Sequence, residues 1–336
     1  LEQELTSARK KAHIDLAFQS QVAQIQTDTR FHYEPVLAGH PSEKSFPTSF
    51  LGKQLNVPVW VSSMTGGTEL AGTINRNLAK ACKQFGMGMG LGSCRIILDS
   101  DEHLDDFALR SIIGNDLPFY ANLGIAQVEE LVVGNKFNKI TELISKLEAD
   151  GLIIHINPMQ EWLQPEGDKI QHPPIDTIKR LLDRLDVKLI VKEVGQGMGP
   201  KSLETLFSLP IEAVEFAALG GTNFAKLELI RGSENNSSLY NELAYIGHSA
   251  EEMVGFANDV FISLGDKAKC KQVIVSGGVK GFLDGYYHLE KINCNAVYGQ
   301  ASAFLKHATD TYEELEYFIK KQLEGFALAK AFLKVK

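Results

Sequence analysis

The chain has 336 residues, 44% of them hydrophobic and 23% charged, with a formal net charge of −8. That is enough apolar material for a large core, in one domain or two. The acidic balance argues against nucleic acid or an anionic membrane as a bulk partner, and no stretch reaches the roughly 18 apolar residues of a membrane span.

Residues 1–56 precede the repeating part of the chain and read as an N-terminal helix over Glu2–Gln21 followed by a Pro-containing connector, PVLAGHPSEKSFP. The opening segment is charged and has no apolar stretch of the kind a signal peptide needs. The cysteines, Cys82, Cys94, Cys270 and Cys294, form no CxxC pair and fit neither a zinc site nor a disulfide framework. A reducing, cytoplasmic setting is therefore expected. Arg9, Lys10 and Lys11, with His13, form a dense basic cluster on this helix. Such a cluster is either a solvated helix face or an arm that closes over a site and grips a diphosphate.

From residue 57 to 336 one pattern recurs: a short apolar run that ends in Gly, Ser, Asn or Thr. Eight such runs follow in order: Val57–Gly67, Gly86–Cys94, Pro118–Gly124, Gly151–Asn157, Lys188–Gly195, Ala213–Gly221, Lys271–Gly278 and Asn295–Phe304. Most are continuously apolar, as parallel strands buried on both faces are. Between them, Asn75–Gln84, Asn138–Glu148 and Ile175–Leu185 place apolar residues three and four apart, the helical period. The longest gap follows the sixth run. It holds an Asn/Ser-rich loop at Ser233–Ser238 and then a helix near Ala250–Leu264. Eight βα units predict a closed (β/α)₈ barrel with an N-terminal helical extension; a doubly wound open sheet is the rival.

In such a barrel the active site lies at the C-terminal strand ends. Here every end carries polar or glycine positions, from Ser63-Met64-Thr65 through His155-Ile156-Asn157 to Gly299-Gln300-Ala301. Gly277-Gly278 and Gly299-Gln300-Ala301, after the seventh and eighth runs, suit a phosphate, because glycine lets backbone N–H groups approach its oxygens. Lys192, in the fifth run, points toward the barrel mouth, where it either neutralises an anionic ring or pairs with Glu193 or another carboxylate. The stretch His155 to Asp168 turns abruptly from apolar to polar, with Gln160 beside Glu161. It reads as a site for a hard cation such as Mg²⁺ with Glu161 as a ligand, or as a solvated acidic turn. Arg95 and Arg231 are further anion-binding candidates or structural ion-pair partners.

Taken together these residues resemble the type 2, FMN-dependent isopentenyl diphosphate isomerase family. HINPMQEWLQPEGD is similar to its most specific signature and RKKAH to its opening. MTGGT, GSCR, ANLG, VKEVGQG, GGTNF and SGGV follow in the expected order. The resemblance implies conversion of isopentenyl diphosphate to dimethylallyl diphosphate, with reduced FMN as an acid–base catalyst, Mg²⁺ on the diphosphate, and NAD(P)H as reductant. It implies flavin contacts at Ser63, Met64, Thr65, Ser93, Asn122, Lys192 and Thr222, and phosphate contacts at Gly277, Gly278, Ala301 and Ser302. Substrate contacts would fall to Arg9, Lys10, His13, His155, Asn157 and Gln160, with Gln160, His155 and Lys192 in catalysis and Mg²⁺ on Glu161. A homo-oligomer, tetramer or octamer, is implied as well. The chain departs from the family pattern at Cys94, at Asn223-Phe224 and at Ser302. Three other readings compete: an FMN-dependent 2-hydroxyacid oxidase, a phosphate-binding barrel without chemistry, and a nucleotide dehydrogenase with Cys94 as nucleophile.

Overall fold

The computed structural model describes residues 2–42, 44–63, 68–232 and 239–336. The expectations for Met64 and Thr65, and for the loop Ser233–Ser238, lie outside the described residues. Eight parallel strands close into a barrel: Val59–Val61, Gly88–Gly90, Phe119–Gly124, Gly151–His155, Leu189–Lys192, Ala213–Glu215, Gln272–Ser276 and Asn295–Gln300. Each lies within one of the eight apolar runs, and they are called strands one to eight below. Helices follow the strands on the outside. Glu69–Phe85, Phe137–Lys146, Pro174–Leu182 and Ala250–Leu264 coincide with the segments of helical period. Their ends obey local chemistry: Thr68 caps Glu69–Phe85 by accepting the Ala71 N–H, and Ser249 and Glu252 form a reciprocal capping box.

Strand two is rich in glycine for a packing reason. The Trp60 indole, fully buried, fills the barrel beside it. A Cβ on Gly88 would lie 2.5 Å from the Trp60 ring, and one on Gly90 would lie 2.5 Å from Ile153 Cδ1. Trp60 on strand one and Ile153 on strand four therefore leave no room for side chains at positions 88 and 90.

The N-terminal segment differs in part from its expectation. The first helix is Glu2–Leu16, shorter than expected, and its side chains from Ser7 onward are exposed. Among its described side chains no apolar stripe docks it; Ile14 and Leu16, the large apolar residues near its end, are both exposed. What packs on the barrel is a hairpin that the sequence did not announce, Thr48–Phe50 paired with Lys53–Leu55. Its two-residue turn holds Leu51 at φ 52° and Gly52 at φ 75°, the hand that suits twisted strands. Phe50, Leu51 and Leu55 are buried against the N-terminal end of the barrel. Leu51 N–H donates to Gln272 Oε1 (2.9 Å), Asn295 Nδ2 to Ser49 O (2.8 Å), and Lys53 Nζ to Asp150 Oδ1 (2.6 Å). A second ribbon pairs Phe31–Tyr33 with Leu333–Val335. No helix among the described residues is long and apolar enough to cross a membrane.

Candidate active site

With one end of the barrel plugged, the C-terminal strand ends form the accessible mouth. A cleft of about 430 Å³ opens there. It brings together Ser63, Lys192, Thr222, Gly277, Gly278, Ala301 and Ser302. Gly277 and Gly278 have φ of 84° and 71°, a conformation that favours glycine. A Cβ on Gly277 would stand 2.1 Å from the backbone N and O of Ala218, so the ends of strands six and seven touch main chain to main chain. Lys280 and Lys306 line the same cleft, and sequence reasoning missed both. It also missed Ser62 and Glu215, whereas Ser276 and Gln300, which line the cleft too, belong to the polar strand ends that the sequence marked. The signal for Glu215 was a carboxylate set inside the apolar run AVEFA.

Lys192 is buried, and its Nζ donates to the main-chain oxygen of Glu193 (2.8 Å), not to that residue's carboxylate. The Glu193 carboxylate is occupied elsewhere. Its Oε2 accepts the backbone N–H groups of Gly195, Gln196 and Gly197 at 2.7, 2.6 and 2.9 Å, which folds the loop after strand five. Burial pushes the Glu193 pKa above its ordinary value, against the lowering effect of these three donors and of Lys192.

A second group spans strands one, three and four. Asn122 Nδ2 donates to Leu91 O (3.0 Å) and to Ser63 Oγ (2.8 Å). Leu91 O can only accept, so the amide orientation is fixed and Asn122 Oδ1 faces His155 Nδ1 at 2.7 Å. The histidine must carry its proton on Nδ1, which leaves Nε2 as an acceptor. Desolvation, with the Lys192 charge nearby, pushes the His155 pKa down to about 3, so the ring is neutral near pH 7.

A third group sits on the turn after strand four. Asn157, buried, donates Nδ2 to Gln160 Oε1 (3.1 Å) and Glu161 Oε1 (3.0 Å), and its own Oδ1 has no partner. Gln160 Nε2 reaches Glu228 Oε1 at 3.4 Å. Glu161 Oε2 accepts the Asp168 N–H at 2.7 Å. Arg95 pairs with Asp168 (2.7 Å), and Arg231 with Glu228 (2.8 Å) and with Glu166. Both arginines are thus ion-pair partners that hold this turn.

Other expected residues stand apart from the cleft. Ser93 is exposed and lines a neighbouring depression with Arg95 and Gln127. Arg9, Lys10 and His13 are exposed on the first helix and do not line the cleft. Among the described residues no three His, Cys, Asp or Glu side chains cluster as a metal site. Cys94 is buried, and burial pushes its thiol pKa up to about 12, which denies it the thiolate a nucleophile requires. Among the described residues no histidine lines the main cleft.

An isopentenyl-diphosphate delta-isomerase of Rickettsia felis is 33% identical over 323 residues, covering 93% of this chain and 88% of that protein. The chain belongs to the isopentenyl-diphosphate delta-isomerase family. Another member, from Chlorobium chlorochromatii, is 32% identical over 296 residues, 83% of this chain and 81% of its own. No family model matches the chain. Among solved structures, a flavocytochrome b2 variant with benzoylformate superimposes with a TM-score of 0.61 at 13% identity, over 91% of this chain and 76% of its own. A mandelate oxidase variant with (S)-mandelic acid gives 0.57 at 10% identity, over 91% and 87%. At such identities the likeness is one of fold, and it places this isomerase-family chain among the barrels.

Proposed function

We propose that this chain interconverts isopentenyl diphosphate and dimethylallyl diphosphate, with FMN seated in the cleft and Mg²⁺ on the substrate diphosphate. The observation that carries the reading is the cleft of a chain from this family: a buried lysine, two left-handed glycines and two buried oxygens without partners, Ser62 Oγ and Glu215 Oε2. These features fit FMN. Gly277 and Gly278, with Ala301 and Ser302, would hold its phosphate through main-chain N–H groups, and Lys280 and Lys306 would add positive charge. Lys192 would sit against the N1–C2=O edge of the ring; Ser63, Asn122 and Thr222 would flank it, with Met64, Thr65 and Ser93 by family resemblance.

Reduced FMN, with NAD(P)H as its reductant, supplies an electron-rich acid–base centre, and the isomerisation involves no net redox change. The protein's own groups do the rest. Neutral His155 presents Nε2 as an acceptor and adds no positive charge near a cation-like carbon. Asn157 and Glu228 hold Gln160 from both ends, so its amide is pre-set to orient substrate. Each oxygen of Glu161 makes one described hydrogen bond and retains a lone pair for Mg²⁺, which keeps several waters and takes few protein ligands. Arg9, Lys10 and His13 supply diphosphate contacts when the first helix folds over the mouth. Exposed apolar residues along the N-terminal segment, Ile14, Phe18, Val22 and Ile25, support assembly into a homo-oligomer, tetramer or octamer.

The test is a visible spectrum of the protein with FMN, followed by an assay of isopentenyl diphosphate with Mg²⁺ before and after anaerobic reduction. Dimethylallyl diphosphate formed only after reduction is the expected result. Flavin binding without product would retain the cofactor and reject the isomerase.

A further inference from the structure

Beneath the mouth, polar groups form a row across neighbouring strands: Lys192 on strand five, Glu215 on strand six, Ser276 on strand seven and Ser62 after strand one. Glu215 is fully buried. Its Oε1 is 3.0 Å from Ser276 Oγ, which itself accepts the Ala217 N–H at 3.0 Å. The serine's single hydrogen is therefore committed to the carboxylate. Glu215 Oε2 has no partner at all. Lys192, its register neighbour, directs Nζ to Glu193 O instead. Ser62 Oγ is also buried without a partner. Gly299, on strand eight, keeps the floor open between the serines: a Cβ there would lie 2.6 Å from Ser62 Oγ and 3.0 Å from Ser276 Cβ.

Buried polar oxygens are nearly always hydrogen-bonded, so two in one row that lines a cleft mark a missing donor. The row also has an order. It runs from a cation, through acceptor oxygens, to the glycine cradle of strands seven and eight. A matching ligand carries an acceptor at one end, hydroxyl groups along its middle and a phosphate at the other. FMN has that order of ring, polyol chain and phosphate. Resting on the FMN reading above, we infer that Glu215 Oε2 accepts a hydrogen bond from a hydroxyl of the flavin's ribityl chain, with Ser62 completing the seat. Glu215 then selects for a hydroxylated chain and contributes nothing to a ligand that lacks one.

Flavin fluorescence quenching tests this with two ligands: FMN, and an analogue whose ring and phosphate are joined by an unsubstituted pentyl chain. Wild type is expected to bind FMN ~10- to 100-fold more tightly than the analogue, the scale of a hydrogen bond to a buried charged group. Glu215→Leu is expected to lose ~10- to 100-fold for FMN and less than about threefold for the analogue. Equal losses for both ligands, or no loss for FMN, would overturn the assignment. If the variant does not fold, the wild-type comparison decides alone: equal affinities overturn the inference. Wild type that binds neither ligand removes the FMN reading itself, and the Glu215 assignment with it.

Discussion

Gly277→Ala separates the phosphate cradle from ordinary backbone strain when set beside Gly52→Ala. Both glycines have positive φ, 84° and 75°. Both substitutions therefore carry a left-handed penalty of ~1–2 kcal/mol. At Gly52 nothing lies within 4 Å of the new Cβ, so that penalty is all. At Gly277 the new Cβ meets Ala218 N and O at 2.1 Å, and main chain cannot rotate away as a side chain would. Overpacking of this kind adds ~1–3 kcal/mol, for a total of ~2–5 kcal/mol. Unfolding entropy of about 2.1 cal/mol/K per residue amounts to ~0.7 kcal/mol/K over the 336 residues. The apo protein should then melt ~3–7 °C lower for Gly277→Ala and ~1–3 °C lower for Gly52→Ala. Relief of the clash pushes the ends of strands six and seven apart, so Gly277→Ala should also weaken FMN binding more than about tenfold, and Gly52→Ala should leave it unchanged. Differential scanning calorimetry and a flavin titration read the two effects. If the variants behave alike in both, the main-chain contact between strands six and seven does not shape the phosphate seat.

Lys192→Met should weaken binding of reduced FMN more than that of oxidised FMN, by ~10-fold or more, because only the reduced ring is anionic; reductive titration reads this as a lowered flavin potential. Glu161→Gln should raise the Mg²⁺ concentration for half-maximal turnover at least about tenfold while flavin affinity holds, which a Mg²⁺ titration at fixed flavin would show. His155 has a folded pKa pushed below its unfolded value of 6.5 to about 3. The unfolded chain therefore takes up this proton first, and stability present above pH 6.5 is lost progressively as pH falls toward 3. His155→Gln should flatten that part of the Tm-versus-pH curve. Asp150 acts lower. Burial raises its pKa, but the hydrogen bonds from Lys53 and the Phe119 N–H and the Arg110 charge outweigh that and hold it below 3.8. Its stabilisation is present above that value and lost as pH falls further, and Asp150→Asn should remove the acid limb below pH 4 from the same melts.

The barrel was legible because its strands are buried on both faces, so each shows as an apolar run with a polar terminus whatever its partners. The hairpin over the barrel floor was not. Its strands are three residues each, its turn is Leu51-Gly52 rather than Asn-Gly, and its anchors, Gln272 and Asn295, are remote in sequence. The site divides in the same way. Lys192, Gly277 and Gly278 announce themselves by position at a strand end. Glu215 lies inside strand six, where only its charge is anomalous, and its unpaired oxygen is a property of three strands together. The basic cluster at Arg9 was readable as chemistry but not as geometry, since an exposed helix without an apolar stripe has nothing in its own sequence that fixes where it lies.

The hairpin also bears on how the molecule is made. Its shortest-range clasp, Lys53 to Asp150, spans 97 residues, while the other two join Leu51 to Gln272 and Asn295 to Ser49 across 221 and 246. Neither can form before strands seven and eight leave the ribosome, although the plug is synthesised before any barrel strand. For most of synthesis Phe50, Leu51 and Leu55 have only part of their seat and the growing sheet has an open edge. Closure of the ring and completion of the stopper's docking then fall together late in synthesis, and chaperone demand for this chain should concentrate in that interval.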